Sequence, residues 1–86
     1  MVETRLSEHR NKIDEIDQQL LILLNRRAEC AIEIGQIKKE NNMPIYVPER
    51  EEKVIETLVQ ANTGPLPQSA IREIFLNIFD QMKKLE

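Results

Sequence analysis

RNKIDEIDQQLLILLNRRAECAIEIGQIKKE, residues 10–40, decides the fold. At about 100° per residue, Ile13, Leu20, Leu24, Ala31 and Ile34 share one face, the apolar stripe of an amphipathic helix. Three cations fall on that stripe. With Ile13 at zero, Arg27 projects at about −40°, Lys38 at about −20° and Arg10 at about +60°. Arg26, at about 220°, points to solvent. Buried cations cost several kcal/mol each unless an anion meets them. The stripe therefore calls for internal carboxylates or an anionic ligand, and Asp17, on its edge, is the nearest internal candidate.

Working outward, glycine occurs only at 35 and 64 and proline at 44, 48, 65 and 67. The prolines cluster at two places and divide the chain into three helical runs. The first is expected from about Thr4 to about Glu40, with Thr4 or Ser7 as N-cap. Gly35 lies inside it and costs about 1 kcal/mol relative to alanine, too little to end so strong a periodicity. Asn41 to Val47 reads as a loop. Pro48 suits a first helical position, and Glu49, Glu51 and Glu52 favour the positive end of the dipole. This second helix is expected to reach about Ala61, burying Val54, Ile55 and Leu58. Asn62 to Pro65 is a turn. The third helix is expected from near Pro67, burying Ile71, Ile74, Phe75, Ile78, Met82 and Leu85. The fold class is all-α.

With 86 residues the chain makes one domain, 1–86, at the size where a single core is barely sufficient. A helix of about 35 residues is about 50 Å long, whereas a compact monomer of this size has a radius of gyration of about 12 Å. The stripe of the first helix must then be covered by another chain, which predicts an intertwined homodimer in which the two long helices run against each other.

Net charge is −3, with no basic run, two phenylalanines, one tyrosine and no tryptophan, which disfavours nucleic acid as a partner. No apolar stretch approaches the ~20 residues that span a membrane, and MVETRLSEHR lacks the apolar core of a signal peptide. The single cysteine, Cys30, cannot form an internal disulfide, fits a reducing, cytoplasmic setting and reads as a small core residue. His9 reads as a bystander and Tyr46 as a loop anchor.

The other helices add polar groups to the same interior. With Val54 at zero, Arg50 and Glu51 flank the second helix's stripe at about −40° and +60°. In the third, Glu86 falls at about +60° from Ile71, close to Met82 and Phe75. Arg10, Arg27, Lys38 and Arg50 against Glu51 and Glu86 leave net positive charge inside an acidic protein. Such a cavity suits a small dianion, with arginine as a fork for carboxylates and lysine as a point donor.

Arg10-x-x-Ile13-x-x-Ile16-Asp17-x-x-Leu20-Leu21-x-Leu23-Leu24-x-x-Arg27 resembles the opening of the all-helical chorismate mutases. Ile34-Gly35-x-x-Lys38, Tyr46-x-Pro48-x-Arg50-Glu51 and Gly64-Pro65-Leu66-Pro67 continue the likeness from about Leu6 to Glu86. The start of the second helix and the Gly-Pro-Leu-Pro turn look closest to mutase domains fused to prephenate dehydratase. The resemblance implies a domain-swapped dimer that rearranges chorismate to prephenate, in phenylalanine and tyrosine biosynthesis, with no metal or cofactor. It implies that Arg27, Lys38, Arg50 and Glu51 come from one protomer and Arg10 from the other. Arg10 and Arg27 would hold the two carboxylates, Lys38 would donate to the ether oxygen, and Glu51 would accept from the ring hydroxyl. Arg50 would line the site, as would Val47 and Met82.

Two positions depart from the family pattern. Val47 stands where many relatives carry an acidic residue, so that contact is made by backbone or is absent. Glu86 stands where many have a glutamine that donates to the ether oxygen. An ionised carboxylate cannot donate, so Glu86 serves only when protonated, and activity then falls as pH rises. Two other functions fit the same residues: an isochorismate pyruvate-lyase on this fold, and a non-catalytic dimerisation or regulatory module. Because the third helix shows no stop signal before Glu86, a chain that continues into a further domain is a natural expectation.

Overall fold

A computed structural model describes residues 1–86 and contains only helices: α1 (Val2–Glu40), α2 (Pro48–Ala61) and α3 (Gln68–Lys83). The chain divides into two compact units, Met1–Cys30 and Ala31–Glu86. No helix is long and apolar enough to cross a membrane.

The expected helix boundaries hold within a few residues, and the reasons are local. α1 starts at Val2, so neither Thr4 nor Ser7 caps it; both lie inside the first turns. It ends in a Schellman-type arrangement. Asn42 adopts φ 53°, the Met43 N–H donates to Lys38 O (2.8 Å) and the Asn42 N–H to Lys39 O (3.4 Å). Asparagine tolerates this left-handed geometry better than most residues, so the end is sharp without a glycine. α2 opens on Pro48 without a side-chain cap, and the Arg50 and Glu51 N–H groups donate to Val47 O at 3.1 and 3.2 Å. Between α2 and α3, Gly64 takes φ 85° and its peptide bond to Pro65 is cis. Asn62 braces this turn, accepting from the Gly64 N–H (3.0 Å) and donating to Leu66 O (2.8 Å).

In the Ala31–Glu86 unit, α2 packs on α3, and the buried residues are Ala31, Gly35, Ile55, Phe79 and Met82. Both helices are turned relative to the stripes expected from their apolar residues. α2 buries Ile55 most deeply, about 100° from Val54, and leaves Val54 and Leu58 half-buried. α3 centres between Met82 and Phe79, at about +20° and +80° from Ile71. Ile74 and Leu85, at about −60° and −40°, are therefore exposed rather than buried, and Phe79, absent from the expected core, is in it. Each single-helix pattern averages over apolar residues, whereas the packed face is chosen by the neighbouring helix.

Ile55 has no exposed surface. Ile55→Ala is expected to cost about 2–5 kcal/mol, read as a shift of the urea midpoint. Against the roughly 5–15 kcal/mol that holds a small domain folded, that is a large fraction.

The Met1–Cys30 unit is helical from Val2 onward. Every large apolar residue in it is exposed, from 38 % at Leu24 to 91 % at Met1. Cys30 is exposed as well, not a core residue: it lies about 100° from the Ile13 stripe, on the flank of α1.

Candidate active site

The first charged group in the Ala31–Glu86 unit is built on Lys38. Its position near the end of α1 brings the side chain beside the α1–α2 loop, where Nζ donates to Ile45 O (2.8 Å) and to Glu86 Oε1 (2.7 Å). The Lys38 and Glu86 side chains are only 16 % and 11 % exposed, so this ion pair is sheltered. An ammonium has three protons. Two are committed here, and the third is left for a further acceptor.

Gly35 makes that arrangement possible. A Cβ at position 35 would sit 2.7 Å from Glu86 Cα, closer than such atoms approach, and a tight 3.1 Å from Glu86 O. The missing side chain lets the residues after α3 lie against α1 one turn before Lys38. Alanine normally stabilises a helix interior by roughly 0.5–1 kcal/mol over glycine. Here the clash is with backbone, and overpacking costs about 1–3 kcal/mol, so the sign reverses. Gly35→Ala is expected to lower the melting temperature, and deleting residue 86 is expected to abolish that loss. An equal loss in both backgrounds would refute the steric account.

The second group is built on Glu51. In the first turn of α2, its Oε2 lies 2.9 Å from Lys83 Nζ. Lys83 also sits 3.4 Å from Asp80 Oδ1 and 4.3 Å from the centroid of the Tyr46 ring. The Glu51 carboxylate, then Asp80, holds the Lys83 ammonium above the ordinary lysine range despite some desolvation, so it is charged at neutral pH. Glu52 does not compete for it. Both its oxygens are held by the Arg72 guanidinium (2.9 and 3.1 Å), which lowers its pKa.

The expected site residues are thus distributed as follows. Lys38, Glu51 and Glu86 are half-buried, Met82 is buried, and Val47 is half-buried with its carbonyl serving the start of α2. Arg50 is exposed in the single chain. It lies about 140° from Ile55, so the rotation of α2 that turns Glu51 inward turns Arg50 outward. In the Met1–Cys30 unit, Arg27 is half-buried and Arg10 exposed. Lys83 was not foreseen. At about 120° from Ile71 it lies outside the apolar stripe, and only the shifted centre of α3 brings it inward.

The Ala31–Glu86 unit thus holds two sheltered ion pairs, Lys38 with Glu86 and Glu51 with Lys83, on an all-helical frame. The model of the family described as chorismate mutase type II matches residues 9–86, and the chain belongs to that family. It is similar to the bifunctional chorismate mutase/prephenate dehydratases of Aquifex aeolicus (42 % identical over 85 residues, 94 % of this chain) and Neisseria gonorrhoeae (36 % over 85 residues, 99 % of this chain). The chain spans about a quarter of the length of those relatives, 24 % and 23 %. Among solved structures, form II of the Thermus thermophilus chorismate mutase matches with a TM-score of 0.93 and 34 % identity, covering 94 % of this chain and 92 % of that one.

Proposed function

We propose that this chain rearranges chorismate to prephenate by binding the compact conformer of the substrate among fixed cations. The observation that carries the reading is Lys38: a sheltered ammonium, fixed from two sides, with one proton uncommitted. The rearrangement is unimolecular and needs no proton transfer. What slows it in water is the rarity of the folded conformer, together with negative charge that develops on the ether oxygen as the carbon–oxygen bond lengthens. Holding the enolpyruvyl arm over the ring supplies the first need. A preorganised cation supplies the second without reorganising during the reaction.

In this reading Lys38 donates to the ether oxygen, and Glu51 accepts from the ring hydroxyl with the free oxygen of its carboxylate. Arg27, together with Arg10 of the partner subunit, holds the two substrate carboxylates. Val47 and Met82 form apolar walls, and Arg50 flanks the entrance. Glu86 orients Lys38 through their ion pair. The working form is a homodimer, which the exposed apolar residues of the Met1–Cys30 unit support. The likeness to bifunctional enzymes supports a native product in which a dehydratase domain follows, in a cytoplasmic pathway to phenylalanine and tyrosine.

The test is to incubate the purified chain with chorismate and identify the product by NMR. Prephenate is expected. Release of pyruvate from isochorismate, with chorismate untouched, would favour the lyase, and no conversion of either would favour a binding module.

A further inference from the structure

Lys83 stands outside every motif that carries the family likeness, yet its ammonium is shared by α3, α2 and the α1–α2 loop. Its contacts are unequal. Glu51 and Lys83 are 19 % and 25 % exposed, whereas Asp80 is 64 % exposed. A pair with a solvated partner contributes little, so Glu51 is the carboxylate that Lys83 holds. The Tyr46 ring under the ammonium limits its movement and adds a cation–π attraction.

Glu51 needs such a restraint. Glu49 and Glu52 flank it in a first turn crowded with carboxylates, and an unpaired glutamate there would swing to water. From these contacts we infer that Lys83 is a positioning residue: it binds Oε2 of Glu51 so that Oε1 faces the hydroxyl of a ring-bearing dianion. The inference rests on the proposed mutase reading, in which Glu51 accepts from that hydroxyl. Lys83 itself touches no substrate atom. Its effect is carried entirely through the orientation of Glu51, and Tyr46 sets the height at which the ammonium meets it.

The experiment compares the parent with Lys83→Met, Lys83→Arg, Glu51→Gln and the Lys83→Met/Glu51→Gln pair. Each is assayed on chorismate and on a chorismate analogue lacking the ring hydroxyl, with thermal melts alongside. Lys83→Met is expected to lower kcat/KM on chorismate about tenfold, the worth of one hydrogen bond to a charged group. Lys83→Arg is expected to restore most of it. Adding Lys83→Met to Glu51→Gln, or assaying it on the hydroxyl-free analogue, is expected to change the rate less than about twofold, because the path through Glu51 is already cut.

An equal loss on both substrates and in both backgrounds would overturn the inference and leave Lys83 a purely structural prop. So would a Lys83→Met protein as active as the parent. If Glu51→Gln alone costs nothing, the inference falls with the role assigned to Glu51. A parent that leaves chorismate unchanged would instead bring down the mutase reading itself.

Discussion

Lys38→Ala is expected to slow the conversion of chorismate to prephenate by about 100- to 1000-fold, the usual effect of removing one fixed donor from a developing oxyanion. At about 1.4 kcal/mol per factor of ten, that is roughly 3–4 kcal/mol of transition-state stabilisation. The size follows from the surroundings. A solvated lysine must pay to reorganise as charge develops, but this one is held by Ile45 O and Glu86 Oε1 before substrate arrives. The loss should appear mainly in kcat, since the proposed carboxylate contacts, which bind ground and transition state alike, remain. Truncation also strips Glu86 of its partner, so the variant must be shown to fold by circular dichroism. A folded Lys38→Ala protein with parental kcat would place the catalytic cation elsewhere.

Leu20→Glu is expected to abolish activity by a different route. Leu20 is half exposed and sits among Ile13, Ile16, Leu23 and Leu24, all exposed in the single chain. On a monomer, a leucine-to-glutamate change at such a position is worth less than about 0.5 kcal/mol. Inside a helix–helix seam it removes roughly 1.5–3 kcal/mol of burial and adds an unpaired charge, twice over by symmetry. If the proposed dimer forms through this face, the variant is expected to show half the parental mass by light scattering, lower helicity and no mutase activity, because the proposed contact from Arg10 of the partner subunit would be lost. Parental mass, melting and turnover would rule out this face as the dimer seam.

Much of the fold was legible in residues close together in the chain. Pro48 marks the start of α2, and the Gly64–Pro65–Leu66–Pro67 segment separates it from α3. The persistence of α1 through Gly35 follows from weighing a small helix penalty against a long periodicity. Of the candidate site, Lys38 and Glu51 were legible because a charged group on an apolar stripe is anomalous whatever it packs against. Arg50 shows the limit. It and Glu51 flank Val54 almost symmetrically, and nothing within α2 says which of them turns inward.

By itself, then, the sequence determined three helices and, within a few residues, their boundaries, because these depend on backbone preferences and spacing within one helix. The tertiary structure alone decided the pairings: Gly35 against Glu86, Lys38 with Glu86, and Lys83 with Glu51. Those contacts join residues on different elements. They depend on how far each helix is rotated about its own axis, which shows in the residues that end up buried, Ile55 on α2 and Phe79 and Met82 on α3, rather than in the pattern of any one helix.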